Sequence, residues 1–175
     1  RTCTRLACCF PDYITGAVPI VGLSAYFDTP LGNGKYSPAG FDRPSTARFN
    51  LLRTRRIGAV TGDKDINHDE MAAIVERFTR DRLQARLFDH ENFGHQLPSP
   101  DQFTEALKWV DEPYQEAVNK ERAAAQALLD AYIRKNGDAP PPPKNTRAAA
   151  ELVKVTQTAP WSDPAWHAAR LLTPP

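Results

Sequence analysis

The sequence predicts an α/β protein: parallel strands joined by crossover helices, followed by an α-helical C-terminal extension. Three observations predict it. Short apolar runs at Gly16 to Gly22, Ile57 to Thr61 and Ala85 to Phe88 have the length of buried strands. Segments with apolar residues at helical spacing alternate with those runs, the order expected of parallel strands with right-handed crossovers. After about Asp111 the strand signals stop and an Ala-rich helical pattern takes over. The 175 residues can bury one good core or the second half of a larger one.

Each element has its own warrant. Residues 2 to 10 read as a short helix, with Leu6 and Phe10 four apart, ended by Pro11. The strand from Gly16 to Gly22 carries Pro19, which removes a ladder donor and suits an edge or a bulge. Residues 23 to 46 read as one long loop, punctuated by Pro30, Gly32, Gly34, Pro38 and Pro44. From Ser45 a brief helix carries Phe49 and Leu52, and Ile57 to Thr61 is the second strand. Met71, Ile74, Val75 and Phe78 then recur at helical spacing, with Asn67 and Glu70 marking the start. Ala85 to Phe88 is the third strand. Ser99, Pro100 and Gln102 open a helix with a capping-box pattern and a buried stripe of Phe103, Leu107 and Val110.

The expected organisation is a body of residues 1–111 and a helical extension of residues 112–175, with a Pro-rich spacer at 138–143. Within the extension, residues 113 to 136 read as a long helix closed by Gly137. Pro140 to Pro143 read as a stiff extended spacer. Two shorter helices follow, one with Leu152, Val153 and Val155, the other starting at Ser162 or Asp163 and carrying Trp166 and Leu172.

Lys and Arg number 22 against 21 Asp and Glu, so the net charge of +1 offers no electrostatic footprint for nucleic acid. No apolar run approaches the roughly 20 residues of a membrane span. The chain begins with Arg1 rather than Met, which reads as a processed or truncated piece. Cys3, Cys8 and Cys9 crowd into one short helix without metal spacing and read as small apolar packing groups.

The chemistry gathers where two strand-like runs end. Thr61-Gly-Asp-Lys-Asp65 closes one, and Phe93-Gly-His95 follows the other by a few residues. In an open parallel sheet that edge carries the site. An acid and a histidine there are two members of a hydrolytic triad, with Asp65 favoured over Asp63 and His95 as base. Gly62 and Gly94 are expected to let the backbone turn sharply before each functional residue. Asp65 also reads as a helix cap, and His95 as an ordinary loop histidine. Tyr26, Phe27, Tyr36 and Phe41 either line a substrate cleft or anchor the long loop to the body.

No Gly-x-Ser-x-Gly nucleophile turn occurs in the sequence. Ser24 precedes Asp65 and His95 in the right order, but Tyr26 occupies a position that needs a small residue and a Pro/Gly loop follows instead of a helix. His68, Asp69, His90, Glu91 and His95 form an alternative metal-ligand set, without the paired-His helical spacing of zinc sites.

Arg1-Thr-Cys-Thr-Arg-Leu-Ala-Cys-Cys-Phe-Pro-Asp-Tyr-Ile-Thr-Gly-Ala-Val-Pro-Ile-Val-Gly22 resembles the segment after the nucleophile turn of α/β-hydrolase serine esterases similar to poly(3-hydroxybutyrate) depolymerases and feruloyl esterases. Gly62-x-x-Asp65 resembles the family's acid turn, and Gly94-His95 with Leu97-Pro98 its histidine turn. The resemblance covers residues 1 to about 111. It implies the C-terminal half of an α/β-hydrolase fold and a serine ester hydrolase working by acyl transfer, whose nucleophilic Ser and oxyanion donors precede Arg1. It further implies no cofactor, a small or polymeric ester as substrate, and a secreted or periplasmic location. A peptidase of the same fold stays open, since the triad serves ester and amide alike. So does a non-catalytic, hydrolase-like interaction module whose helical tail meets a protein partner.

Overall fold

A computed structural model describes residues 1–32, 34–142 and 145–173. The chain divides into two compact units, Arg1–Glu112 and Pro113–Pro175. The first unit is built on a parallel three-stranded sheet, β1 (Gly16–Ala17), β4 (Arg56–Lys64) and β5 (Gln84–Gly94), in the order β1-β4-β5. That unit also contains α1 (Thr2–Cys9), the strands β2 (Thr29–Gly32) and β3 (Lys35–Ser37), α2 (Thr46–Leu52), α3 (His68–Arg80) and the opening residues of α4 (Pro100–Asn136).

β4 is the central strand and is buried from Ile57 to Gly62. That is why it reads as an unbroken apolar run: a strand covered on both faces has no solvent side to alternate with. One face meets α3 and the loop aromatics, where Ile57 and Ala59 pack with Leu52, Met71, Ile74 and Phe78. Val60 lies in a separate cluster with Phe88, Phe93 and Ala106. Gly58 allows the close approach on that side, because a Cβ there would stand 3.0 Å from Val110 Cγ2 and 3.2 Å from Phe88 Cε2.

Several expectations are revised. The first strand is only two residues long, and beyond Pro19 it rejoins the sheet through a single parallel bridge, Ile20 to Val60. The loop of residues 23–46 contains an antiparallel hairpin, β2 with β3, whose turn uses Gly32 at φ 84° and Gly34 at φ 72°; Asn33 lies outside the described residues. β5 extends six residues past Phe88, to Gly94. The capping box forms as the spacing predicts, with Ser99 N donating to Gln102 Oε1 at 2.9 Å and Gln102 N to Ser99 Oγ at 3.3 Å. The stripe that follows forms only in part: Val110 faces the sheet, but Phe103 and Leu107 are 36% and 44% exposed, while Ala106 is fully buried. The helix meets the sheet through Ala106 and Val110, small enough for the approach that Gly58 permits.

The helices expected from Ser99 and over residues 113 to 136 are one element, α4, from Pro100 to Asn136 with Pro113 inside it. A proline leaves the carbonyl four residues earlier without its helical donor. Here that carbonyl is Trp109 O, and the Arg56 guanidinium donates to it at 2.7 Å while pairing with Glu112. The orphaned acceptor is satisfied from the sheet, so the helix continues.

In the second unit, α5 (Thr146–Thr158) and α6 (Asp163–Leu172) pack with the later part of α4 around Ala125, Leu129, Tyr132, Leu152, Val155 and Ala168. Gly137, at φ 76°, ends α4 and donates to Ile133 O at 2.8 Å. Ser162 caps α6 as the sequence predicts, accepting from Ala165 N. Of the expected Pro spacer at 138–143, Pro143 lies outside the described residues. Among the described residues, no helix is long and apolar enough to cross a membrane.

Candidate active site

β4 and β5 are parallel neighbours, so the residues that follow them emerge at the same edge of the sheet. Their register shifts between Gly62 and Lys64, where β5 carries extra residues from His90 to Gly94. The acid turn therefore closes against a bulged partner. Gly62 serves here by its size and not by its dihedral angle, since neither Gly62 nor Gly94 has positive φ. A Cβ on Gly62 would stand 2.4 Å from His90 O and 2.5 Å from Phe93 Cβ and Phe93 O. Gly94 has ordinary space, its nearest atom being Lys64 O at 3.7 Å, and the turning role expected of both glycines is not what the backbone uses.

Asp65 and His95 meet. Asp65 Oδ1 lies 2.9 Å from His95 Nδ1, with the carboxylate side chain 0% exposed and the imidazole 48% exposed. The carboxylate accepts two further hydrogen bonds, from Thr61 Oγ1 to Oδ2 at 2.7 Å and from Asn67 N to Oδ1 at 3.1 Å. Burial, the largest influence, would raise the Asp65 carboxyl, but the bonds from His95, Thr61 and the Asn67 backbone outweigh it. The group is held below the ordinary carboxylate range. An ionised Asp65 makes Nδ1 the donor, which fixes the tautomer whose Nε2 lone pair can accept a proton. Asp63, the rejected alternative, is exposed. The capping role considered for Asp65 is not the one it plays: the N-cap of α3 is Asn67, without a side-chain cap bond, and Asp65 accepts from Asn67 N in the turn that precedes the helix.

Asn67 extends the network. It precedes α3, but its side chain makes no cap; Nδ2 instead donates to Val21 O at 2.7 Å. Val21 has φ 42°, an uncommon conformation for a β-branched residue, and this bond helps hold it. The next residue, Gly22, accepts from the Arg1 amino group at 3.3 Å, and the Arg1 guanidinium pairs with buried Glu70 of α3 at 2.8 Å. The amino end of α1 and the acid turn are thus tied to one another. Ile66 and Leu97, within two residues of the pair in sequence, are 85% and 81% exposed and give these turns apolar side chains in solvent.

The loop aromatics divide differently from the site. Tyr26 and Phe41 are buried in the core, where Tyr26 stacks on Phe78 and donates to Asp81 Oδ2 at 2.7 Å. Phe27 packs edge-on against Tyr26 and Phe78. These three anchor the loop to the end of α3. Tyr36, on β3, is exposed. Ser24 is half-buried and lines a cavity of about 30 Å³ with Arg1, Gly40 and Glu70; the hydrogen-bond partner of His95 is Asp65.

Among the alternative metal ligands, His68 lies between Asp69 Oδ1 at 3.0 Å and Asp89 Oδ2 at 2.9 Å, and hydrogen bonding to Asp89 and then Asp69 raises its pKa. The Nε2 of His90 is buried without a hydrogen-bond partner, its ring against Phe93. Among the described residues, no group of three or more His, Cys, Asp or Glu side chains could hold a metal ion. Cys8 packs in the core, its thiol raised to about 12 first by burial.

Thr61 and Asn67 are the residues that reading by motif misses. A threonine closing an apolar run reads as β-propensity, and an asparagine before a helix reads as its cap. Comparison of the chain with protein-family models, with curated proteins and with solved structures finds no match.

Proposed function

We propose that this chain supplies the acid and base of a Ser-His-Asp acyl-transfer site, in the C-terminal half of an α/β-hydrolase-type serine esterase. The observation that carries the proposal is a sealed Asp65 carboxylate bonded to Nδ1 of a half-exposed His95 at the ends of adjacent parallel strands. In this reading His95 Nε2 takes the proton of an attacking serine hydroxyl and returns it to the leaving alcohol. Asp65 stays ionised, fixing the ring and stabilising the imidazolium.

The proposal assigns the nucleophile to residues preceding Arg1, because the sequence has no nucleophile turn. It is supported by the ties that bring the amino end of α1 to the acid turn. The exposed Ile66 and Leu97 favour an ester with an apolar acyl or aryl group. A secreted or periplasmic enzyme without a cofactor, acting on a small or polymeric ester, follows from the same resemblance. Loss of a hydrolase nucleophile costs about a millionfold in turnover, so the 175-residue chain by itself is expected to be inactive on esters.

The test is Asp65→Asn and His95→Ala in the protein with its upstream residues, assayed on short-chain aryl esters and matched anilides. Each variant should lose at least about a thousandfold in kcat. Unchanged turnover in either would sink the proposal, and preference for the anilide would make the enzyme a peptidase. A second reading, a non-catalytic interaction module, is favoured by one observation: Trp161 is 86% and Trp166 59% exposed on the second unit. A residue other than Ser in an otherwise intact nucleophile turn before Arg1 decides for it.

A further inference from the structure

We infer that Thr61 is a positioning residue of the Asp65–His95 pair, its hydroxyl holding the carboxylate rotated so that Oδ1 faces the imidazole. Thr61 sits among apolar residues. It is fully buried at the end of β4, a strand whose preceding residues Ile57, Ala59 and Val60 are all apolar and covered. A valine would have nearly the same shape there and would leave no hydroxyl to satisfy. The hydroxyl spends its one proton on Asp65 Oδ2, at 2.7 Å.

The division of labour over the carboxylate gives that bond its importance. Oδ1 receives both the His95 ring and the Asn67 amide, at 2.9 and 3.1 Å. Oδ2 receives Thr61. A carboxylate is free to rotate about its Cβ–Cγ bond, and the side chain has no solvent exposure through which water would replace a lost donor. Without the Thr61 hydroxyl, Oδ2 gains by turning toward the other donors, and the plane that now aims Oδ1 at Nδ1 is no longer fixed. Strand β4 also fixes Thr61 from behind, through its pairing opposite Asp89. The carboxylate is therefore referenced to the rigid sheet, whereas Asn67 and His95 both belong to turns.

Only the effect on turnover rests on the acyl-transfer reading; the orientation of the carboxylate does not. The test accordingly has two arms. In the 175-residue chain, carbon NMR follows the Asp65 carboxyl titration and nitrogen NMR the His95 tautomer, in the parent, Thr61→Val and Thr61→Ser. His95 is the titratable partner bonded to Asp65, Lys64 is taken up by Asn92, and His68 by Asp69 and Asp89. Thr61→Val should move the Asp65 titration upward and mix the His95 tautomers, and Thr61→Ser should restore both. If Thr61→Val does not fold, Thr61→Ala against Thr61→Ser isolates the hydroxyl from the methyl. In the protein with its upstream residues, Thr61→Val should lower kcat about tenfold to a hundredfold with KM nearly unchanged, the range expected for a hydrogen bond to a charged group. An Asp65 titration and a His95 tautomer that ignore the hydroxyl overturn the inference, whatever the activity. A moved titration in a protein without esterase activity leaves Thr61 as the positioning residue and overturns the acyl-transfer reading instead.

Discussion

Gly62→Ala puts the geometry of the acid turn to a quantitative test. The added methyl would stand 2.4 Å from His90 O and 2.5 Å from two atoms of Phe93, against the 3.0 Å that real Cβ contacts respect. The shortfall is 0.6 Å for the carbonyl and 0.5 Å for Phe93. None of these atoms is the far end of a flexible side chain, so β5 itself has to move. The displaced segment ends at Gly94, immediately before His95, whose bond to Asp65 is 2.9 Å long. A shift of the same half-ångström size takes that bond close to the distance beyond which a hydrogen bond no longer counts, about 3.5 Å. The variant should therefore lose about 1–3 kcal/mol, the usual range for overpacking, and weaken the Asp65–His95 bond. Urea unfolding followed through amide resonances of residues 1–112 measures the first, and the low-field His95 Nδ1 proton the second. Gly94→Ala is the control: its new methyl meets only Lys64 O at 3.7 Å, so stability should stay within about 0.5 kcal/mol. Equal behaviour of the two variants would refute the crowding argument.

The remaining predictions concern other parts of the molecule. Arg56→Leu removes the donor that satisfies Trp109 O beneath Pro113, and should cost about 1–2 kcal/mol and raise amide exchange around residues 110–116; protection equal to the parent would show that the helix does not need it. Leu152→Ala opens a cavity in the core of the second unit, where Leu152 is fully buried, and should lower stability by about 2–5 kcal/mol in denaturant unfolding monitored there. His68 has a folded pKa raised above its unfolded value of about 6.5 by Asp89 and then Asp69. Its stabilisation is fully present below that unfolded value and is lost as pH climbs through the raised folded one. The stability gap between parent and His68→Ala should thus shrink from pH 6 to pH 9; a gap that widens refutes the assignment of the charge.

What was legible in the residues follows from how many neighbours decide each element. β4 and α3 announce themselves because a strand buried on both faces and a one-sided helix each leave a local pattern. Asp65 and His95 stand out because each follows an apolar run in which a charged or titratable group needs a reason. The pairing itself depends on the bulge opposite Gly62, which no local pattern encodes. That the helix opening at Ser99 and the one over residues 113 to 136 are a single α4 depends likewise on a distant residue, since Arg56 takes up the carbonyl that Pro113 leaves free. Phe103 and Leu107 read as the buried stripe by size, yet the approach permitted by Gly58 selects Ala106 and Val110 as the contact. The hairpin within residues 23–46 hides behind its glycines and prolines, which mark turns but not what joins them.

The unequal exposure of the pair has one more consequence. Asp65 is closed off from water and His95 is half open to it, so traffic of protons into and out of the pair has a single doorway, the ring. Reagents should see the same asymmetry: diethyl pyrocarbonate would find the imidazole, while carbodiimides would leave the carboxylate untouched until the fold opens. The histidine is the contact the site offers to the outside, and the aspartate is known to solution only through it.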